Sequence, residues 1–283
     1  MKKEKKARKR MLPKAFIKRY GRIIFGGTVI AILIFIAICA PYLTKYDPAE
    51  VNITIASQAP SDEHIFGTDP FGRDMYSRII YGTRVTLIMA FSVQAIVVIF
   101  GAIFGMLCGY FKRFDAIVMR IMEALHSIPG ILLAMVLAQM LGKGMFKLMI
   151  ALAIPLMPGV TRMTRSQVLS LRQKEFIESE KAMGANDLRV IFLHILPSCS
   201  HYLIIRVIAG FAGTILSTAS LSYLGIGLDP NIPNWGSIVA DGQKLMLIHP
   251  HLIIYPGIAI TLTAFSFSLL GEGVREVLDP KLK

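Results

Sequence analysis

Long apolar blocks, separated by shorter polar segments, dominate the order of residues along this chain. A bilayer core about 30 Å thick requires roughly 20 mostly apolar residues for one helical crossing. Blocks that reach or approach this length occupy residues 23–43, 85–110, 116–141, 145–160, 202–223 and 252–270. The pattern predicts an all-α integral membrane protein with six transmembrane helices. The 283 residues leave no room for a separate large soluble module.

Two of the predicted spans carry residues that indicate close packing or an internal lining. Gly101, Gly105 and Gly109 recur at four-residue spacing in the second span. Such spacing lets membrane helices approach closely, and scattered glycine in an apolar helix is the alternative. The fourth span contains Pro155 and Pro158. Membrane helices tolerate proline where neighbouring helices or a water-lined cavity satisfy the freed carbonyls. This helix is therefore predicted to line such a cavity or a neighbouring helix.

The composition supports the membrane assignment and locates the charge. Hydrophobic residues make up 54% of the chain and charged residues 17%, against about 25% charged in soluble domains. The formal net charge is +13, and eleven basic residues precede the first span. They are Lys2, Lys3, Lys5, Lys6, Arg8, Lys9, Arg10, Lys14, Lys18, Arg19 and Arg22. Residues 1–22 are therefore predicted to be a cytoplasmic segment that adheres to anionic lipid, and a DNA-binding arm is a poor competitor.

Charge also predicts the sidedness of the connecting segments. Residues 44–84 are rich in acidic side chains and form an external segment, whereas residues 161–200 have a basic excess and form a cytoplasmic loop. The first span, residues 23–43, is longer than a signal-peptide core and no Ala-x-Ala site follows it, so we interpret it as retained. Residues 85–283 then constitute a core with five transmembrane helices, and both chain termini lie in the cytoplasm.

The cytoplasmic loop has the pattern of two short helices joined by a glycine turn. Apolar and charged residues alternate over 176–183 as in an amphipathic helix. Gly184 ends this helix, because glycine adopts backbone angles that other residues avoid. Asn186 or Asp187 can cap the next helix, and Pro197 restarts the chain near the fifth span. This arrangement offers a rigid knob to a partner, while an ordinary loop helix covering the ends of the bundle is the alternative.

The same segment resembles the EAA motif of binding-protein-dependent ABC importer permeases. That motif reads E-A-A, three residues, G, nine residues, then I-x-L-P. Glu178 falls on its glutamate, Gly184 on its glycine, and Leu196 with Pro197 on its closing Leu-Pro. In the family this loop is the coupling helix, which docks into a groove on the ATPase. The resemblance thus implies ATPase coupling for Glu178, Ser179, Glu180, Ala182, Gly184, Ala185, Leu196 and Pro197.

Three positions depart from the motif. Ser179 and Glu180 stand where the motif has its two alanines, and His194 stands where isoleucine is usual. The alanines pack closely against the partner in the family. The departures therefore concern the fine geometry of that contact and not the identity of the loop.

Three further segments narrow the resemblance to the oligopeptide, dipeptide and nickel permeases of the "C" type. Residues 64–87 are similar to the start of their second span, residues 221–243 to their last external loop, and residues 269–283 to their C-terminal tail. The likeness covers the chain from about residue 15 to its end. It implies a type I ABC importer permease fold in the cytoplasmic membrane of a prokaryote.

The resemblance also implies partners for the chain. They are a second homologous permease subunit, two cytoplasmic ATPase subunits, an external solute-binding protein and membrane lipid, with no nucleic acid. The chain contains no G-x-x-x-x-G-K-[ST] phosphate-binding loop, so ATP is hydrolysed by another polypeptide and this chain is neither an enzyme nor a holder of cofactors. Peptide is the favoured cargo, and nickel, opines, glutathione and sugars remain open.

Several isolated polar and aromatic residues are better interpreted as interfacial or packing residues than as ligand sites. His249 and His251 sit at the external mouth of the last span and could touch a metal, but an interfacial role is favoured. The three cysteines match no metal-binding spacing. Arg120 and Glu123 can reach the cytoplasmic interface from the third span, and Trp235 is interpreted as an interfacial aromatic that could also meet a docked binding protein.

Two other classes of function compete with the importer. An ion-gradient-driven secondary transporter or channel usually carries ionisable residues deep within its spans, and the spans of this chain hold almost none. A membrane-anchored receptor or scaffold would need a cytoplasmic domain that could signal. The leading hypothesis is therefore a pore subunit that is driven by ATPase partners.

Overall fold

The computed structural model describes residues 2–278, with side chains over residues 20–278. The described part is helical and contains no β-strand. Its helices are α1 (Lys2–Leu43), α2 (Met75–Tyr110), α3 (Lys112–Ser127), α4 (Gly130–Leu141), α5 (Met145–Arg172), α6 (Glu175–Ala182), α7 (Asp187–Arg189), α8 (Leu196–Tyr223), α9 (Trp235–Gly242) and α10 (His251–Leu278). A π-helical stretch, Val190–Ile195, joins α7 to α8. The basic side chains of residues 2–19 and the tail residues 279–283, for which the sequence makes predictions, lie outside the described part.

Five helices in the described part are long and apolar enough to cross a membrane. They are Tyr20–Leu43, Met75–Tyr110, Met145–Arg172, Asp187–Tyr223 and His251–Leu278. The predicted all-α membrane fold is thereby confirmed. We call the end of the bundle formed by residues 44–74 and α9 the cap end, and the opposite end, formed by residues 173–195, the loop end.

The third predicted span, residues 116–141, is a broken helix. Lys112–Ser127 and Gly130–Leu141 are bent by 97° relative to one another and provide a sixth crossing only as a pair. The break falls at Pro129, which has no backbone N–H for a helix, and the preceding Ile128 is extended, at φ −92° and ψ 133°. The predicted third span therefore exists only as this bent pair, because hydropathy does not register the direction of the backbone.

Two other helices are longer than predicted. Helix α2 begins at Met75, well before residue 85, because the Asp74 carboxylate caps it by accepting from the backbone N–H of Ser77 at 2.8 Å. Helix α5 continues past its two prolines to Arg172, so the first part of the predicted loop, residues 161–172, is helical. The predicted knob of two short helices and a glycine turn is therefore shorter than expected, and we use the name knob for residues 173–195.

The three spaced glycines of α2 pack against α5, as the sequence predicts. A Cβ added to Gly101, Gly105 or Gly109 would lie 2.8, 2.5 or 2.6 Å from a side-chain Cβ of α5. The facing residues are Val160, Thr164 and Val168. Glycine at these positions therefore lets the two backbones approach more closely than any other residue would.

A cluster of buried charges holds the cap end together. Asp69 and Arg78 are each only 1% exposed. One Asp69 oxygen accepts from Nε of Arg73 at 2.6 Å and also from Arg78. Asp241, from α9, accepts from the same two arginines at 2.7 and 3.1 Å. The four side chains connect residues 44–74 to the start of α2 and to α9.

Trp235 lies inside the protein and not at an interface. Its side chain is 1% exposed, and its indole N–H donates to the carbonyl of Ile79 at 3.1 Å. Gly82 leaves the space for the ring, because a Cβ there would lie 2.9 Å from the indole. The prediction of an interfacial aromatic was therefore wrong, and Trp235 anchors α9 against α2.

Candidate functional site

The loop end contains the helix, glycine turn and second helix that the sequence predicts. Helix α6 spans Glu175–Ala182, and Gly184 follows with φ at +83°, in the left-handed region that favours glycine. Its N–H donates to the carbonyl of Lys181 at 3.0 Å and closes the helix. The Asn186 side chain then caps α7 by accepting from the N–H of Leu188. The backbone of the knob is therefore fixed by local hydrogen bonds.

The inner face of the knob is part of the hydrophobic core at the loop end. Ile177 of α6 and Val190 and Ile195 of the π-helical stretch are fully buried. They belong to one cluster with Val168 of α5 and Tyr110 of α2. Because burial of apolar surface stabilises this contact, the knob is held against the ends of α2 and α5 as a packed unit.

The outer face of the knob is apolar yet exposed. Phe176, Met183 and Leu188 all have exposed side chains, with Met183 at 75% and Leu188 at 58%. Of the eight residues assigned to coupling, Glu178, Ser179, Ala182, Gly184 and Pro197 are exposed and Glu180, Ala185 and Leu196 are partly buried. The predicted set is thus spread over α6, the glycine turn and the first two residues of α8, and large exposed apolar side chains beside it are typical of a protein-docking surface.

Two of the three departures from the EAA motif face each other. Nε2 of His194 lies 3.5 Å from Oε1 of Glu180, and both side chains are about one quarter exposed. The remaining departure, Ser179, donates its hydroxyl to the Glu175 carbonyl within α6 at 2.9 Å. The substituted residues therefore connect α6 to the π-helical stretch and do not disturb the turn.

Tyr110, which sequence reasoning missed, joins the knob to the membrane helices. Its hydroxyl donates to Asp187 at the start of α7, and its carbonyl accepts from Arg172, the last residue of α5, at 2.9 Å. The ammonium of Lys181 in α6 lies 4.7 Å from the centre of its ring. A tyrosine at the end of an apolar span resembles any interfacial aromatic, so no pattern in the sequence marks it. These contacts connect the knob to the end of α2 and to the last residue of α5.

A second ionic contact fixes α3 to the same region. Arg165 of α5 binds the carboxylate of Asp115 through both Nε and Nη2, the latter at 2.6 Å. A bidentate arginine–carboxylate pair is strong and directional. Helices α2, α3 and α5 are therefore connected at the loop end, next to the knob.

These features define a class of protein. The chain is a multi-pass helical membrane protein with a buried, charged cap at one end and a rigid, exposed apolar knob at the other. Such an architecture is that of a polytopic membrane protein with a candidate docking surface at its loop end.

The comparison with known protein families identifies the class more closely. Residues 98–283 match the family described as "Binding-protein-dependent transport system inner membrane component". Residues 22–60 match the "N-terminal TM domain of oligopeptide transport permease C". The chain belongs to this family: it is a permease subunit of an ABC importer, of the oligopeptide C type, and not itself an enzyme.

Individual relatives agree with this membership. A putative peptide transport system permease protein of Brucella abortus is 39% identical over 267 residues, which cover 94% of this chain and 90% of the relative. A dipeptide transport system permease protein of Alkalihalophilus pseudofirmus is 39% identical over 94% of this chain and 88% of the relative. A glutathione transport system permease protein of Pectobacterium atrosepticum is 39% identical over 91% and 86%.

The fold also matches a solved structure. The MetNI methionine ABC transporter, in its inward-facing conformations, contains a chain that superposes with a TM-score of 0.58 at 18% identity. The match covers 72% of this chain and 98% of that chain. The predicted type I importer permease fold is therefore confirmed.

Proposed function

We propose that this chain forms half of the pore of an ATP-driven importer and carries a peptide-like solute across the cytoplasmic membrane of a prokaryote. The supporting observation is the knob, which is apolar and exposed on its outer face and fixed to α2 and α5 on its inner face. An ATPase docked on the outer face would move the membrane helices through Tyr110 and Arg172. The eight coupling residues named above form or support that docking surface.

The proposed assembly contains a second homologous permease, two cytoplasmic ATPase subunits and an external binding protein. Relatives with 39% identity are named for peptide, dipeptide and glutathione transport. Each of these names denotes a solute with peptide bonds, so a di- or oligopeptide is the cargo that we propose for this chain. An ion-gradient-driven secondary transporter is the alternative that the first experiment must separate.

In that experiment, the purified chain in liposomes is expected to hydrolyse no ATP, because it has no phosphate-binding loop. Adding its second permease, ATPase pair and binding protein should produce both ATP hydrolysis and uptake of labelled trialanine. A non-hydrolysable ATP analogue should stop uptake, whereas an ionophore should not. Uptake by the chain without ATP, lost on addition of an ionophore, would support the secondary transporter instead.

We further propose that the loop end and both termini face the cytoplasm and the cap end faces outward. Single cysteines placed by Asp62→Cys and Asn231→Cys at the cap end should react with an impermeant maleimide in intact cells. A cysteine placed by Glu178→Cys should react only after the membrane is permeabilised. The background variant carries alanine at the three native cysteines, Cys39, Cys108 and Cys199. Labelling of position 178 from outside would invert the proposed orientation.

A further inference from the structure

Helix α8 carries an exposed stripe along most of its length. Apart from Ile204, the exposed residues between Tyr202 and Leu216 recur at alternating spacings of four and three, which places them on a single face of a helix. This open face of α8 consists of Tyr202, Arg206, Ala209, Gly213 and Leu216. A Cβ added to Gly213 would meet nothing within 4 Å. The middle of the open face is therefore lined by small residues with free space in front of them.

Arg206 is the charged member of the open face. It makes no hydrogen bond or ion pair with any residue in the described part of the chain. Its Nη2 lies beside Gly159 of α5, 3.0 Å from where a Cβ would be. The adjacent Val160 packs on Gly101, nine residues before the end of α2 at Tyr110. At 1.5 Å per residue, the guanidinium lies about 14 Å inside the loop end of the bundle.

Arg206 has no partner in the described part of the chain, and at that depth water or a polar group suits a guanidinium far better than lipid does. Arginine within a membrane is strongly unfavourable unless it faces a water-filled cavity or a partner group, and such residues mark solute pathways. The neighbouring α5 contains Pro155 and Pro158, which membrane helices tolerate where a cavity or neighbour satisfies the freed carbonyls. Both observations indicate that the open face of α8 borders an aqueous path.

The loop-end half of this face lines a cavity of about 590 Å³ between α5, α8 and α10. That volume lies within the range of small-molecule sites. Arg206 and Arg275 both line the cavity. Among the lining residues that the structure describes, the acidic side chain is Glu272, which is 3.5 Å from the guanidinium of Arg22. The unpaired charge of these described lining residues is therefore positive and suits an anion.

We propose that Arg206 binds the carboxylate of the solute as the solute moves along the open face of α8, an inference that rests on the proposed function. The planar guanidinium offers paired donors that match a carboxylate. Gly213 leaves space for the solute further along the open face.

The test measures uptake of labelled trialanine and of trialanine amide, which lacks the terminal carboxylate, by the complete transporter in liposomes. The same binding protein is used throughout, so its own preference between the two peptides is constant. Arg206→Gln is expected to lower trialanine uptake at least tenfold and to lower the ratio of acid to amide uptake to the value that the binding protein's own preference sets. Arg206→Lys, which retains a point charge, should restore part of both.

Arg120→Gln serves as the matched control for loss of a positive charge. Arg120 belongs to α3, its side chain is 85% exposed, and it lies outside the cavity; uptake by this variant should stay within about twofold of wild type. Unchanged uptake and an unchanged acid-to-amide ratio for Arg206→Gln would overturn the proposal. Loss of the second permease from the purified Arg206→Gln complex would also overturn it, because Arg206 would then be a subunit contact.

The failure of the proposed function has a different signature. If the wild-type transporter hydrolyses ATP but takes up neither peptide, the peptide class is contradicted, and the carboxylate assignment with it. If the wild-type transporter prefers the acid and every Arg206 variant keeps that preference, only the assignment to Arg206 fails.

Discussion

Asp69→Asn is expected to unfold the cap end and to reduce the yield of folded protein severely. Asparagine keeps the size of the side chain and can still accept from the N–H groups of Phe71 and Arg73, which bind one Asp69 oxygen at 2.8 and 2.9 Å. It removes the negative charge next to Arg78, which is 1% exposed. Breaking a buried ion pair by removing one partner costs about 3–5 kcal/mol, since an uncompensated charge stays buried.

The measurement is thermal unfolding of the detergent-solubilised protein, followed by size-exclusion chromatography. Asp62→Asn is the matched control, because Asp62 lies in the same segment with an exposed side chain. Asp241→Asn should have an intermediate effect, since Asp241 is 26% exposed and shares its arginines with Asp69. A midpoint for Asp69→Asn within about 2 °C of wild type, equivalent to less than about 1 kcal/mol, would show that the cluster does not stabilise the cap end.

The charged cluster at the cap end could not be predicted from the sequence. Asp69, Arg73 and Arg78 are close in sequence, and their polarity was read only as a sign of an external segment. Asp241, the residue that completes the cluster, is 168 positions from Arg73. A pattern along the chain does not contain such a pairing, which forms only when α9 folds against α2. The burial of Trp235 was missed for the same reason.

The membrane helices were predictable because crossing a bilayer depends mainly on local composition. The bend at Pro129 was not predictable in this way, since the apolar run continues through the proline while the backbone turns by 97°. Hydropathy measures whether each residue prefers water or an apolar medium. It carries no information on the direction of the next helix. Arg206 was overlooked because a single charge barely lowers the average hydropathy of a long span.

The backbone of the knob was predictable because its determinants are local. A glycine with φ of +83° and a capping asparagine two residues later fix the turn without help from the rest of the protein. The Glu180–His194 contact and the bonds of Tyr110 join separate segments, and for that reason neither emerged from the sequence. The assignment of the knob to ATPase coupling stays a prediction, and Gly184 is the residue that tests it.

Gly184→Asp is expected to abolish transport and to weaken ATPase association about 100-fold, while the protein still inserts in the membrane. The variant should fold, because a Cβ at Gly184 meets nothing within 4 Å and aspartate tolerates left-handed angles better than most residues. In the docked complex, however, the new carboxylate must leave water without a partner. The effective cost is several kcal/mol, and about 2.7 kcal/mol already corresponds to 100-fold. Co-purification of tagged ATPase and uptake of labelled solute are the two measurements.

Gly225→Asp provides a control that is matched in backbone and surroundings. Gly225 has φ of +73°, an exposed position and no atom within 4 Å of an added Cβ, but it lies at the cap end. It should therefore leave ATPase association unchanged. Glu178→Ala should weaken association only about fivefold or less, because an exposed ion pair contributes about 1 kcal/mol or less. If Gly184→Asp retains the ATPase and transports normally, the outer face of the knob is not the docking surface. The force that opens the pore must then enter the bundle elsewhere.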